Sequence, residues 1–133
     1  MTKQRLIILG GGESGVGTAL LGKAKGYNVF LSDIGKIKDN YKDVLKHNEI
    51  EFEEEQHTES KILNADVVMK SPGIPDKVAV VKQIRNKGIL VVSEIEFASK
   101  FTNATIVGIT GSNGKTTTAT LTYHILKQEL QVG

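Results

Sequence analysis

Arg5-Leu6-Ile7-Ile8-Leu9-Gly10-Gly11-Gly12-Glu13-Ser14-Gly15 is the stretch that decides the fold. Its apolar run, stopped by three consecutive glycines, reads as a parallel strand buried on both faces and followed by a tight turn. Over residues 14–25, Val16, Ala19, Leu20 and Ala24 recur at helical spacing, and Gly26 supplies the stop. Asn28-Val29-Phe30-Leu31-Ser32 then reads as a second strand, ending at Asp33. Strand, glycine turn, helix and strand make one βαβ unit.

The same rhythm runs outward from this unit. A short helix is expected over 41–47, a weak strand over 50–52, a helical turn over 60–63 and a strand over 65–70. Ser71-Pro72-Gly73-Ile74-Pro75 breaks regular structure, because two prolines exclude it. Asp76 is expected to cap a helix running to about residue 87, followed by a strand over 89–92 and a helix over 94–100. The alternation predicts an α/β fold: a Rossmann-like, doubly wound, mostly parallel sheet over residues 1–100. After a linker over 98–104, a strand over 105–109, a loop over 110–114 and a helix over 115–127 read as the first βα unit of a second, phosphate-loop domain over 101–133.

The 133 residues suit one compact domain and a piece of another. A formal net charge of +2 offers no basic surface for nucleic acid or a membrane. The absence of cysteine excludes disulfides and thiolate metal sites. The apolar run after Arg5 is too short for a signal sequence or a membrane span, and no later stretch is longer, so a cytoplasmic location is expected. The acidic run Glu49, Glu51, Glu53, Glu54 and Glu55 reads as a solvated face. His47, His57 and His124 have no metal-ligand spacing and read as structural.

Three motifs carry chemistry. Gly10-x-Gly12-x-x-Gly15 leaves a strand and opens a helix, where free backbone N–H groups and the positive dipole end suit a phosphate. Asp33, at the end of the second strand, stands where a carboxylate can meet a ribose or base. NAD, FAD and UDP-sugars all use this arrangement. Thr110-Gly111-Ser112-Asn113-Gly114-Lys115-Thr116-Thr117 also lies between an apolar stretch and a helix. Its glycines let N–H groups point inward at phosphate oxygens, Lys115 can reach the β- and γ-phosphates, and the Thr116 hydroxyl can join the shell of a magnesium ion. The long nucleotide-binding pattern needs glycine where Ile109 stands, so only the Gly-x-x-Gly-Lys-Thr core is present. The Ser71-Pro72-Gly73 turn, at the carboxyl end of a strand, faces the crevice where such sheets bind ligands.

In this order, the glycine loop, the Ser-Pro-Gly-Ile turn and Thr-Gly-Ser-Asn-Gly-Lys-Thr-Thr resemble the Mur ligase family over essentially the whole chain, and that family carries the short phosphate loop. Ser93-Glu94-Ile95-Glu96-Phe97 is similar to the family's Asp-Ile-Glu-Leu-Phe stretch, with Glu94 in place of aspartate. Asn113 and Gly73 resemble the members that add D-glutamate, since those adding L-alanine tend to carry histidine and alanine there. The resemblance implies an ATP-dependent ligase that activates the carboxylate of UDP-N-acetylmuramoyl-L-alanine as an acyl phosphate and joins it to D-glutamate. It implies that Ser14 and Gly15 meet the diphosphate, that Asp33, Ile34 and Lys36 border the uracil and ribose, and that Ser71 and Gly73 line the diphosphate side. Ile34-Gly35-Lys36 departs from the family's hydroxyl-then-basic pattern. Gly111, Ser112, Asn113, Gly114, Lys115, Thr116 and Thr117 are expected to hold ATP, with Lys115 catalytic and Thr116 on Mg²⁺. The D-glutamate site and the other magnesium ligands are expected beyond Gly133, leaving these residues inactive alone.

Two rival classes remain at this point. An NAD-dependent oxidoreductase accounts for Gly10, Gly12, Gly15 and Asp33 and leaves the second loop unexplained. A non-catalytic nucleotide sensor of the potassium-channel regulatory type expects a paired dimer and no second loop.

Overall fold

The computed structural model describes residues 2–133. The chain divides into two units, residues 1–102 and 103–133.

The first unit alternates strand and helix: β1 (Arg5–Leu9), α1 (Glu13–Ala24), β2 (Asn28–Ser32), α2 (Asp39–His47), β3 (Glu51–Glu53), α3 (Glu59–Ile62), β4 (Val67–Lys70), α4 (Ala79–Asn86), β5 (Leu90–Val92) and α5 (Glu94–Ser99). The strands form one sheet in the order β3-β2-β1-β4-β5, and every pairing is parallel. The apolar runs of β1 and β2 are unbroken because both sheet faces are covered. Successive side chains point to opposite faces. Leu6 and Ile8 accordingly join Val16, Ala19, Leu31, Leu45 and Phe97 in one core. Ile7 and Leu9 join Phe30, Ile62, Val81 and Ile84 in the other. At the edge of the first core, Phe97 packs edge-on against Tyr27 and Phe101, with ring centroids 5.5 and 5.2 Å away. A capping box formed by Ser93 and Glu96 starts the helix that carries Phe97.

The sheet order has a topological consequence. The connection out of β1 leads through α1 to β2 on one side, whereas β4 lies on the other side of β1. The carboxyl ends of β1 and β4 therefore flank the point where the winding reverses, which is where open α/β sheets leave a crevice for ligands.

Two expectations fail. The helix after the proline turn starts at Ala79 with Val78 at its cap, not at Asp76. Asp76 instead pairs with Arg85 at 3.1 Å and Lys70 at 3.5 Å, tying the turn to β4 and α4. The strand expected over 105–109 is absent: these residues form no regular element. A strand exists only by exchanging backbone hydrogen bonds with a neighbour, and among the described residues of the second unit there is no other strand. That unit holds one helix, α6 (Lys115–Leu126), in which no residue is buried. Ile106, Val107, Leu121 and Ile125 are exposed.

Candidate nucleotide-binding site

The turn after β1 shows why each glycine is there. Gly10 has φ +110°, where an L side chain is strained, and a Cβ on it would come within 2.8 Å of the Ser71 Cβ. A Cβ on Gly15 would stand 1.9 Å from the Gly10 carbonyl oxygen, so only glycine lets α1 start this close beneath the turn. Gly12 differs. It caps α1 with φ −78°, a conformation open to any residue, and nothing lies within 4 Å of its Cβ position. Its missing side chain leaves open space at a helix start that has no side-chain cap. A bare helix start offers unpaired N–H groups to an anion.

Ser71 and Gly73 come from the other side of the reversal point. Ser71 donates its N–H to the Leu9 carbonyl at 3.0 Å and sits against Gly10, so the two loops abut. Lys70 donates to the Ile74 carbonyl at 2.6 Å and braces the proline turn. Ser14 is exposed at the mouth and Gly15 is buried beneath it.

Asp33 behaves differently from a free ribose ligand. One carboxylate oxygen accepts from the Gly11 N–H at 2.5 Å and the other from the Gly35 N–H at 2.7 Å. It thus clamps the glycine turn to the loop that follows β2. Ile34, 66% exposed, and Lys36, also exposed, project from that loop.

Sequence reasoning missed a polar cluster beneath this loop. Glu53 belongs to the acidic run read as solvated, yet it is buried. It pairs in register with Ser32 and accepts from the Ser32 hydroxyl at 2.7 Å, the Thr58 N–H at 2.8 Å and the Thr58 hydroxyl at 2.6 Å. Burial pushes the Glu53 carboxyl up, but the Thr58 and Ser32 bonds, with Lys61 nearby, bring it below its ordinary value of 4.5. Because Ser32 gives its one proton to an ionised carboxylate, His57 Nδ1, 2.7 Å from the same oxygen, must donate. Burial holds His57 below its ordinary value of 6.5, against the opposing pull of Glu53 and Asp33. No signal in the sequence separates Glu53 from its solvated neighbours; only the pairing of β3 with β2 does.

These shifts set an acid response. Both folded-state values are lowered, so both groups stabilise the fold at neutral pH and cease to do so as pH falls. The melting temperature is expected to decline first as pH drops below 6.5, through His57, and again below 4.5, through Glu53. Thermal melts from pH 8 to 4 check this. H57Q should remove the first decline, and a wild-type curve flat across that step contradicts the assignment.

The second phosphate loop stands in its own unit. Gly111 and Gly114 have φ +152° and +74°, and α6 begins at Lys115 with no side-chain cap. Residues 111–120 are exposed, and space around Gly114 is open. The glycines, the bare helix start and Lys115 suit a nucleotide phosphate chain. Among the described residues no group of three or more His, Asp or Glu could hold a metal.

A groove of about 630 Å³, lined by residues such as Lys3, Lys23, Asn28 and Glu49, opens at the amino-terminal ends of the strands. It lies at the opposite end of the strands from the Gly10–Gly15 turn, the end of the sheet that α/β folds do not use for nucleotides.

The fold defines an open, doubly wound α/β domain whose winding reverses between β1 and β4. The chain belongs to the family described as the MurD N-terminal domain, whose model matches residues 5–80. It is 66% identical over 125 residues to a UDP-N-acetylmuramoylalanine--D-glutamate ligase of Christiangramia forsetii, covering 94% of this chain and 28% of that protein. It is 53% identical over 131 residues to the protein of the same name from Bacteroides thetaiotaomicron, covering 98% and 30%. Among solved structures it resembles a pseudomurein peptide ligase type C from Methanothermus fervidus, with a TM-score of 0.65 and 30% identity over 98% of this chain and 29% of that one. The chain thus spans under a third of the length of these relatives. Among the described residues no helix is long and apolar enough to cross a membrane.

Proposed function

We propose that this chain carries the substrate-nucleotide domain and the ATP loop of a ligase that joins D-glutamate to UDP-N-acetylmuramoyl-L-alanine. The observation that carries the reading is the junction at the reversal point, where Ser71 abuts Gly10 and the open Gly12 leads into a bare helix start. There the N–H groups at the start of α1, with Ser14 and Gly15, bind the UDP diphosphate, and Ser71 and Gly73 close its other side. The loop carrying Ile34 and Lys36 borders the uracil and ribose, with Asp33 fixing that loop rather than serving chiefly as a ligand. Residues 1–100 form the UDP-substrate domain, and residues 101–133 begin the ATP-binding domain.

In the second unit, Gly111, Ser112, Asn113, Gly114, Lys115, Thr116 and Thr117 hold ATP, which supplies the phosphoryl group that activates the substrate carboxylate. Lys115 places a positive charge against the phosphate oxygens, and the Thr116 hydroxyl contributes an oxygen to Mg²⁺. The D-glutamate site belongs to parts of the ligase outside these residues, and the same reading implies a cytoplasmic location.

The NAD reading leaves the second phosphate loop unexplained, and the family model that matches residues 5–80 is that of the MurD N-terminal domain. Titration calorimetry of the chain with UDP-N-acetylmuramoyl-L-alanine, UDP and NAD⁺ tests this. The first two are expected to bind and NAD⁺ to give no heat. Preferential NAD⁺ binding contradicts the proposal.

A further inference from the structure

We propose that Glu54 is a positioning residue for nucleotide binding, setting both the 33–37 loop and the glycine turn through its hydrogen bond to the Ile37 N–H. The proposal rests on the UDP reading above. Glu54 follows β3 directly and reaches none of the residues assigned to the ligand except through others. One carboxylate oxygen accepts from the Ile37 N–H at 2.8 Å, and the other holds Lys42 Nζ at 3.1 Å. Lys42 is steadied in turn by Asp39 at 3.0 Å.

Ile37 passes the constraint on. Its side chain is buried and lies so close to the glycine turn that a Cβ on Gly11 would stand 2.7 Å from its Cγ1. The Gly11 N–H is held by Asp33, which also holds the Gly35 N–H. The Gly35 carbonyl accepts from the Glu55 N–H at 3.1 Å, and Glu55 adopts φ 60°, a conformation few non-glycine residues take. The circuit runs from Glu54 to Ile37, Gly11, Asp33, Gly35 and Glu55, and closes beside its starting point. Two loops without regular hydrogen bonding of their own are thereby fixed against each other. The Ile37 N–H and Lys42 also keep the Glu54 carboxyl below its ordinary range, so it is ionised at neutral pH.

The test uses the full chain, UDP calorimetry, and amide hydrogen exchange at Gly11, Gly35 and Ile37. E54D keeps the charge but draws the carboxylate back by one methylene. It is expected to weaken UDP binding about tenfold and to speed exchange at Ile37 and Gly11 by a similar factor. E54Q retains an oxygen that can accept from the Ile37 N–H, and is expected to stay within about threefold of wild type. E51Q, at the exposed first residue of β3, should match wild type in both measurements. An E54D chain that binds UDP and exchanges as wild type does overturns the role of Glu54 and leaves the UDP reading standing. A wild-type chain that ignores UDP overturns that reading, while faster exchange in E54D still reports the coupling between the loops.

Discussion

Gly15→Ala is expected to destabilise the sheet unit by about 3 kcal/mol and to remove UDP binding with it. The reason is geometric. The new methyl group would stand 1.9 Å from the Gly10 carbonyl oxygen and 3.0 Å from its carbon. Both are backbone atoms. Gly10 cannot retreat, because its N–H is held by the Ser32 carbonyl and its other side meets Ser71. Relief requires lifting α1 away from the sheet, which opens the core at Val16 and Ala19. Gly12→Ala makes the informative contrast. Its φ suits any residue and its Cβ meets nothing, so stability should stay within about 0.5 kcal/mol of wild type. UDP affinity should still fall, because the methyl group occupies the approach to the helix start. Urea denaturation and calorimetry on both variants separate the two roles. Equal loss of stability in both contradicts the account of the turn.

Lys115→Ala, placed in the complete ligase, is expected to lower the ATP-dependent rate about 10³-fold, on the order of 4 kcal/mol of transition-state stabilisation. Stability should move in the opposite direction or not at all. Lys115 is exposed and opens α6, where a cation opposes the positive end of the helix dipole. A structural lysine would not be favoured there. The three threonines that follow are also poor helix formers, so the first turn is built for something other than helix stability. Steady-state rates with ATP, read beside thermal melts, check this. A variant that keeps its rate contradicts the role assigned to Lys115.

Much of the fold could be read from the sequence because both sheet faces are buried. Leu6–Leu9 and Val29–Leu31 are uninterrupted apolar runs between polar or glycine stops, and the structure places strands at Arg5–Leu9 and Asn28–Ser32. The failures share a different cause: each depends on partners outside the segment being read. Residues 105–109 carry the apolar Ile106, Val107 and Ile109, but a strand needs a neighbour to hydrogen-bond with. Asp76 is a good cap by type, yet Arg85 and Lys70 compete for its carboxylate. Glu53 cannot be told from Glu51 or Glu55 until β3 is laid beside β2 and Ser32 comes opposite. The glycine loops themselves were legible because their chemistry is local. Glu53, Glu54, His57 and Ile37, by contrast, come together from β3 and the loops after β2 and β3, and no spacing announces that cluster.

The proposed cradling of the UDP diphosphate by the helix start after Gly12, against Ser71 and Gly73, is tested most directly by titrating UDP into ¹⁵N-labelled chain and following each backbone amide. The largest shifts are expected at Glu13, Ser14, Gly15, Ser71 and Gly73, with smaller ones at Ile34 and Lys36. Shifts confined instead to Lys3, Lys23, Asn28 and Glu49, in the groove at the other end of the strands, would contradict it.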